Sequence, residues 1–106
     1  MDPRLGNEDW EEDGETIAHE EVKLPTRYKV LLHNDDYTTM EFVIEVLQKI
    51  FRKGSQDAER IMMEIHQRGH GICGVFSFDV AETKVAQVME FAKESGHPLL
   101  CSMEEE

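Results

Sequence analysis

The stretch Arg27-Tyr28-Lys29-Val30-Leu31-Leu32-His33-Asn34-Asp35-Asp36-Tyr37-Thr38-Thr39-Met40-Glu41 carries three structural signals in immediate succession. Residues 27–33 are rich in apolar and β-forming side chains, which predicts a strand. Asn34-Asp35-Asp36 follows, and short polar side chains of this kind bond their own backbone and favour a turn. Thr38-Thr39-Met40-Glu41 then matches a capping box, in which the Thr38 hydroxyl accepts from a free helix-end N–H and Glu41 reaches back. Strand, turn and helix start therefore adjoin.

The rest of the chain reads outward from this point. Val43, Leu47 and Ile50 recur at helical spacing, flanked by Met40, Ile44, Val46 and Phe51, which predicts a helix from about Thr39 to Arg52 that stops near Gly54. Ser55 is placed to cap a second helix, with Ala58, Ile61, Met62 and Ile65 inward and Gly69 ending it. Residues 71–78 read as a second strand. Asp79-Val80-Ala81-Glu82 is a second capping-box pattern, with Asp as the cap. It opens a third helix on which Ala81, Val85, Val88, Met89 and Ala92 recur, closed by Gly96 and Pro98. Residues 99–103 form a short last strand. The expected fold is α+β, in the order β-α-α-β-α-β, with three helices packed on one face of a small three-stranded, mostly antiparallel sheet.

Charge is distributed unevenly. The 106 residues carry a net charge of −12, and residues 1–24 hold nine acidic and two basic side chains of the total. Residues 25–103 are nearly neutral, with eleven acids and nine bases, and three glutamates close the chain. Residues 1–24 therefore read as a disordered acidic N-terminal arm, because such a stretch cannot bury enough apolar area to offset its ordering entropy. Residues 25–106 read as one folded domain. The acidic balance argues against nucleic acid as a partner, since phosphate contacts need a basic face. No apolar run approaches the ~18–20 residues of a membrane span. No basic and apolar leader opens the chain, and two cysteines are too few for a disulfide framework, so a cytoplasmic location is expected.

Catalytic and metal chemistry find little support. Cys73 and His66 could be imagined as a nucleophile and base, yet Cys73 sits in an apolar strand, which favours an inert packed thiol. His66 and His70 are four apart, with Cys73 beyond, but Gly69 and Gly71 interrupt the continuous helix that such spacing needs. No cofactor is implied. The turn at Asn34-Asp35-Asp36 admits two readings. In one it is a self-bonded structural turn, and Met40 and Met62 are ordinary core residues. In the other, Met62, Ile65 and His66 on one stripe of the second helix meet Met40 and Val43, and the turn's acids and amide rim an apolar hollow. Such a hollow with a few convergent polar groups is a binding site by default, and methionines make it adaptable.

Several blocks, in order and in register, closely resemble the ClpS family. They are Tyr28 to Leu32, Asn34 to Thr38, Met40 to Val43, Met62 to His66, Gly74-Val75-Phe76, Ala81 to Ala86 and His97 to Cys101. The resemblance spans about residues 25–103. It implies a non-enzymatic adaptor of the Clp protease, which recognises substrates that begin with Leu, Phe, Tyr or Trp and hands them to a ClpA-type AAA+ unfoldase feeding the ClpP peptidase. Carried over by position, it implies that Asn34, Asp35 and His66 bind the substrate's α-amino group. Asp36, Thr38, Met40, Val43, Met62, Ile65 and Leu99 would form the side-chain pocket. Asp79, Glu82 and Lys84 would meet the unfoldase's N-terminal domain. A monomer is expected. Ile65 stands where a valine is familiar in the family and adds a methylene to the pocket. Asp79 stands where a glutamate is familiar and shortens the reach toward a partner. Two other readings differ in class: a module of similar fold that docks by its surface without an amine pocket, and a small hydrolase using Cys73 and His66.

Overall fold

The computed structural model describes residues 23–106. The arm expected over residues 1–24 lies, except for Lys23 and Leu24, outside the described residues. The elements follow as β1 (Arg27–His33), α1 (Met40–Lys49), α2 (Ser55–Arg68), β2 (His70–Ser77), α3 (Phe78–Ser95) and β3 (Leu100–Glu105). This is the expected order. The sheet is antiparallel throughout, with β1 in the centre between β2 and β3.

β1 holds the centre and is the most buried of the three strands, through the run Val30-Leu31-Leu32. Val30 and Leu32 are fully buried and point into the core, by the two-residue alternation of a strand. Beneath them pack Phe42, Val43, Val46 and Leu47 of α1, Ala58, Ile61, Met62 and Ile65 of α2, and Ala81, Val88 and Ala92 of α3. Cys73 and Cys101 reach the same core from the two outer strands. The β1–β2 register slips between Val30 and Leu31, because Val30 faces Gly74 while Leu31 faces Ile72. Cys73 is thus the extra residue of a bulge, and it is turned inward at 1 % exposure.

Three helix starts differ from expectation. Thr39, not Thr38, caps α1, and its hydroxyl accepts from the Phe42 N–H at 3.1 Å. Thr38 is diverted by Asp35, as described below. Gly54 rather than Ser55 is the N-cap of α2, without a side-chain bond. Ser77, not Asp79, caps α3, with its hydroxyl 3.4 Å from the Val80 N–H. Asp79 instead lies in the first turn, where a negative charge complements the helix dipole.

Two helix ends show how the chain changes direction. α1 stops at Lys49, earlier than the periodicity suggests. Beyond it Arg52 adopts a left-handed conformation, at φ 56°, and the Lys53 N–H returns to the Leu47 carbonyl at 3.0 Å. The apolar pattern persists through Ile50 and Phe51 because both still pack on the core. α2 ends at Gly69, where φ is 94°, a backbone state that glycine enters without a Cβ penalty. That turn delivers His70 directly into β2.

Candidate functional site

The turn between β1 and α1 is organised by one carboxylate. Asp35 Oδ1 accepts from the Tyr37 N–H at 2.8 Å and the Thr38 N–H at 2.7 Å. Its Oδ2 accepts from the Thr38 hydroxyl at 2.7 Å. The sequence expectation that Thr38 caps the helix fails for this reason: its hydroxyl is committed to Asp35, and the next threonine takes the cap. Partial burial pushes the Asp35 pKa up, but the hydrogen bonds from Thr38 and Tyr37 and the field of His97 pull it down further, and the net result lies below the ordinary value of 3.8. Asp35 is therefore a fixed carboxylate at neutral pH. Of its roughly four lone-pair positions, three are filled from within the turn, and no donor among the described residues takes the remaining one, on Oδ2.

A second connection holds the turn against α2. The Asn34 N–H donates to the Gly69 carbonyl at 2.8 Å, just past the end of that helix. The bond brings Asn34 close to the last turn of α2, which carries His66. Between the turn, α1 and α2 lies a cavity of about 260 Å³ lined by Asn34, Asp35, Asp36, Thr38, Met40, Val43, Met62, Ile65 and His66.

The lining has two parts. Asn34, Asp36 and His66 are exposed, and Asp35 and Thr38 are partly buried. These polar groups form the rim. Val43, Met62 and Ile65 are buried, at 6 %, 9 % and 2 % exposure, and form an apolar wall. Met40 stands at the mouth, 44 % exposed. An acidic rim over an apolar wall suits a ligand that carries a cation beside a bulky apolar group, since each half offsets the desolvation of one part of such a ligand.

Every residue expected at the amine group and the side-chain pocket lines this cavity except Leu99. Leu99 is 2 % exposed in the common core and is not part of the lining. The structure does not place Asp79, Glu82 or Lys84 at the cavity. Asp79 and Glu82 are exposed on the first turns of α3. Lys84 is half-buried and turned inward: its Nζ donates to the Ile50 carbonyl at 2.7 Å and lies 5.9 Å from the Phe51 ring centroid. It closes the C-terminal end of α1, where a cation is favoured by the helix dipole.

Cys73 and His66 are not a pair. Cys73 contacts the Gly71 carbonyl, with Sγ at 4.0 Å, and lies outside the cavity lining. Burial, helped by the neighbouring Cys101, pushes its pKa far above that of a free thiol, and burial takes Cys101 to about 12. Both remain protonated packed thiols at neutral pH. Among the described residues, no three His, Cys, Asp or Glu side chains are grouped to hold a metal ion. No described helix is long and apolar enough to cross a membrane.

His97 was not foreseen as part of this neighbourhood. Its ring stacks on Phe42 at 4.2 Å between centroids and 23° between planes, and it is near enough to Asp35 to contribute to the lowering of that carboxyl's pKa. A single histidine between Gly96 and Pro98 gives no periodic signal, and only the fold returns it to the start of α1.

Comparison with known proteins assigns the architecture to a family. The sequence pattern of the family described as ATP-dependent Clp protease adaptor protein ClpS matches residues 23–102. The ATP-dependent Clp protease adapter protein ClpS of Maricaulis maris is 61 % identical over 85 residues, covering 80 % of this chain and 78 % of the relative. That of Shewanella pealeana is 57 % identical over 91 residues, 86 % of this chain and 89 % of the relative. Among solved structures, Agrobacterium tumefaciens ClpS2 bound to L-phenylalaninamide superposes with a TM-score of 0.76 at 42 % identity, covering 78 % of this chain and all of that one. The chain belongs to the ClpS family of ATP-dependent Clp protease adaptor proteins.

Proposed function

We propose that this chain is an adaptor that binds the N-terminal segment of substrate proteins whose first residue is Leu, Phe, Tyr or Trp, and delivers them to a ClpA-type unfoldase for degradation by ClpP. The α-ammonium group is assigned to Asn34, Asp35 and His66. The first side chain is assigned to the cavity of Asp36, Thr38, Met40, Val43, Met62 and Ile65. The observation that carries this reading is the pairing, in one cavity, of an open carboxylate position on Asp35 with a buried apolar wall. The relative bound to L-phenylalaninamide supports it. That compound carries a free amine and a phenyl side chain, and its amide stands in for the first peptide bond of a substrate.

The energetics are consistent with reversible capture. A free α-amino group has a pKa near 7.7–8 and is mostly an ammonium at neutral pH. A charge-assisted hydrogen bond contributes about 1.5–3 kcal/mol, and burying a Leu or Phe side chain adds about 1.5–3 kcal/mol. A few such contacts, less the ordering cost of the peptide, leave about 8 kcal/mol, or micromolar affinity. Met40 at the mouth disfavours β-branched first residues, which are wide close to the backbone. Asp79, Glu82 and Lys84 on α3 are assigned to the unfoldase's N-terminal domain. In that role Lys84 acts in part by bracing the end of α1 rather than by reaching outward. The adaptor works as a monomer in the cytoplasm, without enzymatic activity of its own.

Titration of the full chain with a Leu-first peptide, its N-acetylated copy and a Gly-first copy tests the reading. Only the free Leu-first peptide is expected to bind tightly. Equal binding of all three, or of none, overturns the amine pocket and leaves surface docking. Cleavage of the peptide points to a hydrolase.

A further inference from the structure

We infer that Gly71 sets the depth of the cavity, by allowing Ile65 to lie back against β2, and so fixes the size of side chain that the site admits. The inference rests on the reading of the cavity as the site of the first side chain. Ile65 lines the cavity and is 2 % exposed. Gly71 is not in the lining; it is buried at the start of β2, opposite Leu32 of β1. A Cβ at position 71 would stand 2.8 Å from Ile65 Cγ1, with Ile61 Cγ2 and the Ile61 carbonyl oxygen each at 3.5 Å. The two contacts with Ile61 are ordinary van der Waals distances. The contact with Ile65 is not, and one of the two residues must give way.

The backbone at position 71 does not itself demand glycine. The described glycines with positive φ are Gly69 and Gly96. Space is therefore the constraint, and it is set by one side chain. Ile65 has little freedom to escape by rotation, because a β-branched residue in a helix holds one strongly preferred rotamer. An added methyl group at position 71 displaces Ile65 away from β2, into the cavity that it lines. A cavity of about 260 Å³ whose back wall is pushed inward rejects the largest side chains first.

The test compares Trp-first, Phe-first and Leu-first peptides of one common tail, titrated against the full chain and its variants. Gly71→Ala is expected to weaken the Trp-first peptide about tenfold, while the Leu-first peptide changes by less than about threefold. In an Ile65→Ala background, Gly71→Ala is expected to leave the Trp to Leu ratio unchanged, because the only close contact is gone. Unchanged ratios in the single variant overturn the inference. So does an equal loss for all three peptides, or the same shift in the Ile65→Ala background. Ile65→Val keeps the inference open to refutation should Gly71→Ala not fold: with glycine still behind it, loss of one methylene must raise the Trp to Leu ratio, and a constant ratio rejects Ile65 as the limiting wall. Binding of no peptide by the unmodified chain refutes the amine pocket itself, whereas normal binding with an unmoved ratio refutes only the role of Gly71.

Discussion

The rim and the wall of the cavity are built on opposite plans. The rim is a surface turn held by its own hydrogen bonds, three of them on the single side chain of Asp35. The wall is a set of helix positions, Val43, Met62 and Ile65, that belong equally to the hydrophobic core. The Asp35 carboxylate is therefore held at fixed geometry by bonds made within the turn, while His66 and the bond from the Asn34 N–H to the Gly69 carbonyl tie the rest of the rim to α2. The wall cannot change its shape without disturbing the packing behind it. Charge and size are read by parts of the molecule with separate supports, and substitutions should separate them.

The largest effect is expected at the rim. Asp35→Ala removes the carboxylate and the acceptor for three donors. Affinity for a free Leu-first peptide should fall by about 2–5 kcal/mol, or roughly thirtyfold or more, by titration calorimetry. The Trp to Leu ratio should stay near that of the unmodified chain. Normal affinity in this variant would break the division between rim and wall.

Thr38→Val should have the next largest effect. It keeps the shape of the side chain but deletes the hydroxyl that donates to Asp35 Oδ2. A hydrogen bond to a charged group is worth about 1.5–3 kcal/mol. The loss is shared between folding and binding, so a roughly tenfold weaker Kd with a lower Tm is expected, again without a change in size preference. The pKa of Asp35 should rise toward the ordinary value, observable by carboxyl NMR titration, because a group that favours its charged form is gone.

The pH dependence sharpens the same comparison. The folded pKa of Asp35 is lowered, so its contribution to stability is present above the unfolded value and is lost as the pH falls through the lower folded value. Between pH 5 and 7 neither this group nor the α-amine of the ligand changes charge appreciably, and affinity should be flat with respect to both. Above the amine pKa near 7.7–8 the free ligand loses its proton, and at pH 9 affinity should be about tenfold weaker than at pH 7. The size preference, set by the apolar wall, should not move with pH.

The two halves also differed in how far the sequence revealed them. The element order followed from periodicity and glycine stops, because Val43 to Ile50 and Ala58 to Ile65 repeat at 3.6 residues and Gly69 ends its helix in the left-handed region. Which cavity residues meet was not legible from spacing alone, since Met40 and Met62 look like core residues on any amphipathic helix. Spacing offered that grouping as one of two readings, and the resemblance chose between them. The resemblance also included Leu99, which the fold places in the core outside the lining. Local capping rules failed where two candidates competed. Thr38 and Thr39 can both cap α1, and the deciding fact is the carboxylate of Asp35, which engages the first. At α3 the cap is Ser77, two residues before the expected Asp79. Lys84, expected to face a partner, is instead drawn inward by the Ile50 carbonyl left open at the end of α1. The differences at Thr38 and Lys84 concern polar side chains with more than one local partner, a choice that tertiary geometry makes.

The smallest expected effect separates adjacent threonines. Thr39→Ala removes the N-cap of α1, where the hydroxyl accepts from the Phe42 N–H. Such a loss costs about 1 kcal/mol of stability. It should appear as a shift of a few degrees in Tm, about what 1 kcal/mol produces in a domain of this size. The affinity for a Leu-first peptide should stay within about twofold, because Asp35 keeps all three of its donors. Thr38→Val in the same assay should lower affinity as well as Tm. If Thr39→Ala weakened binding as much as Thr38→Val, the rim would depend on the helix start rather than on its own bonds. Its independence from the core would then fail, because Phe42 and Val43 tie that first turn directly to the wall.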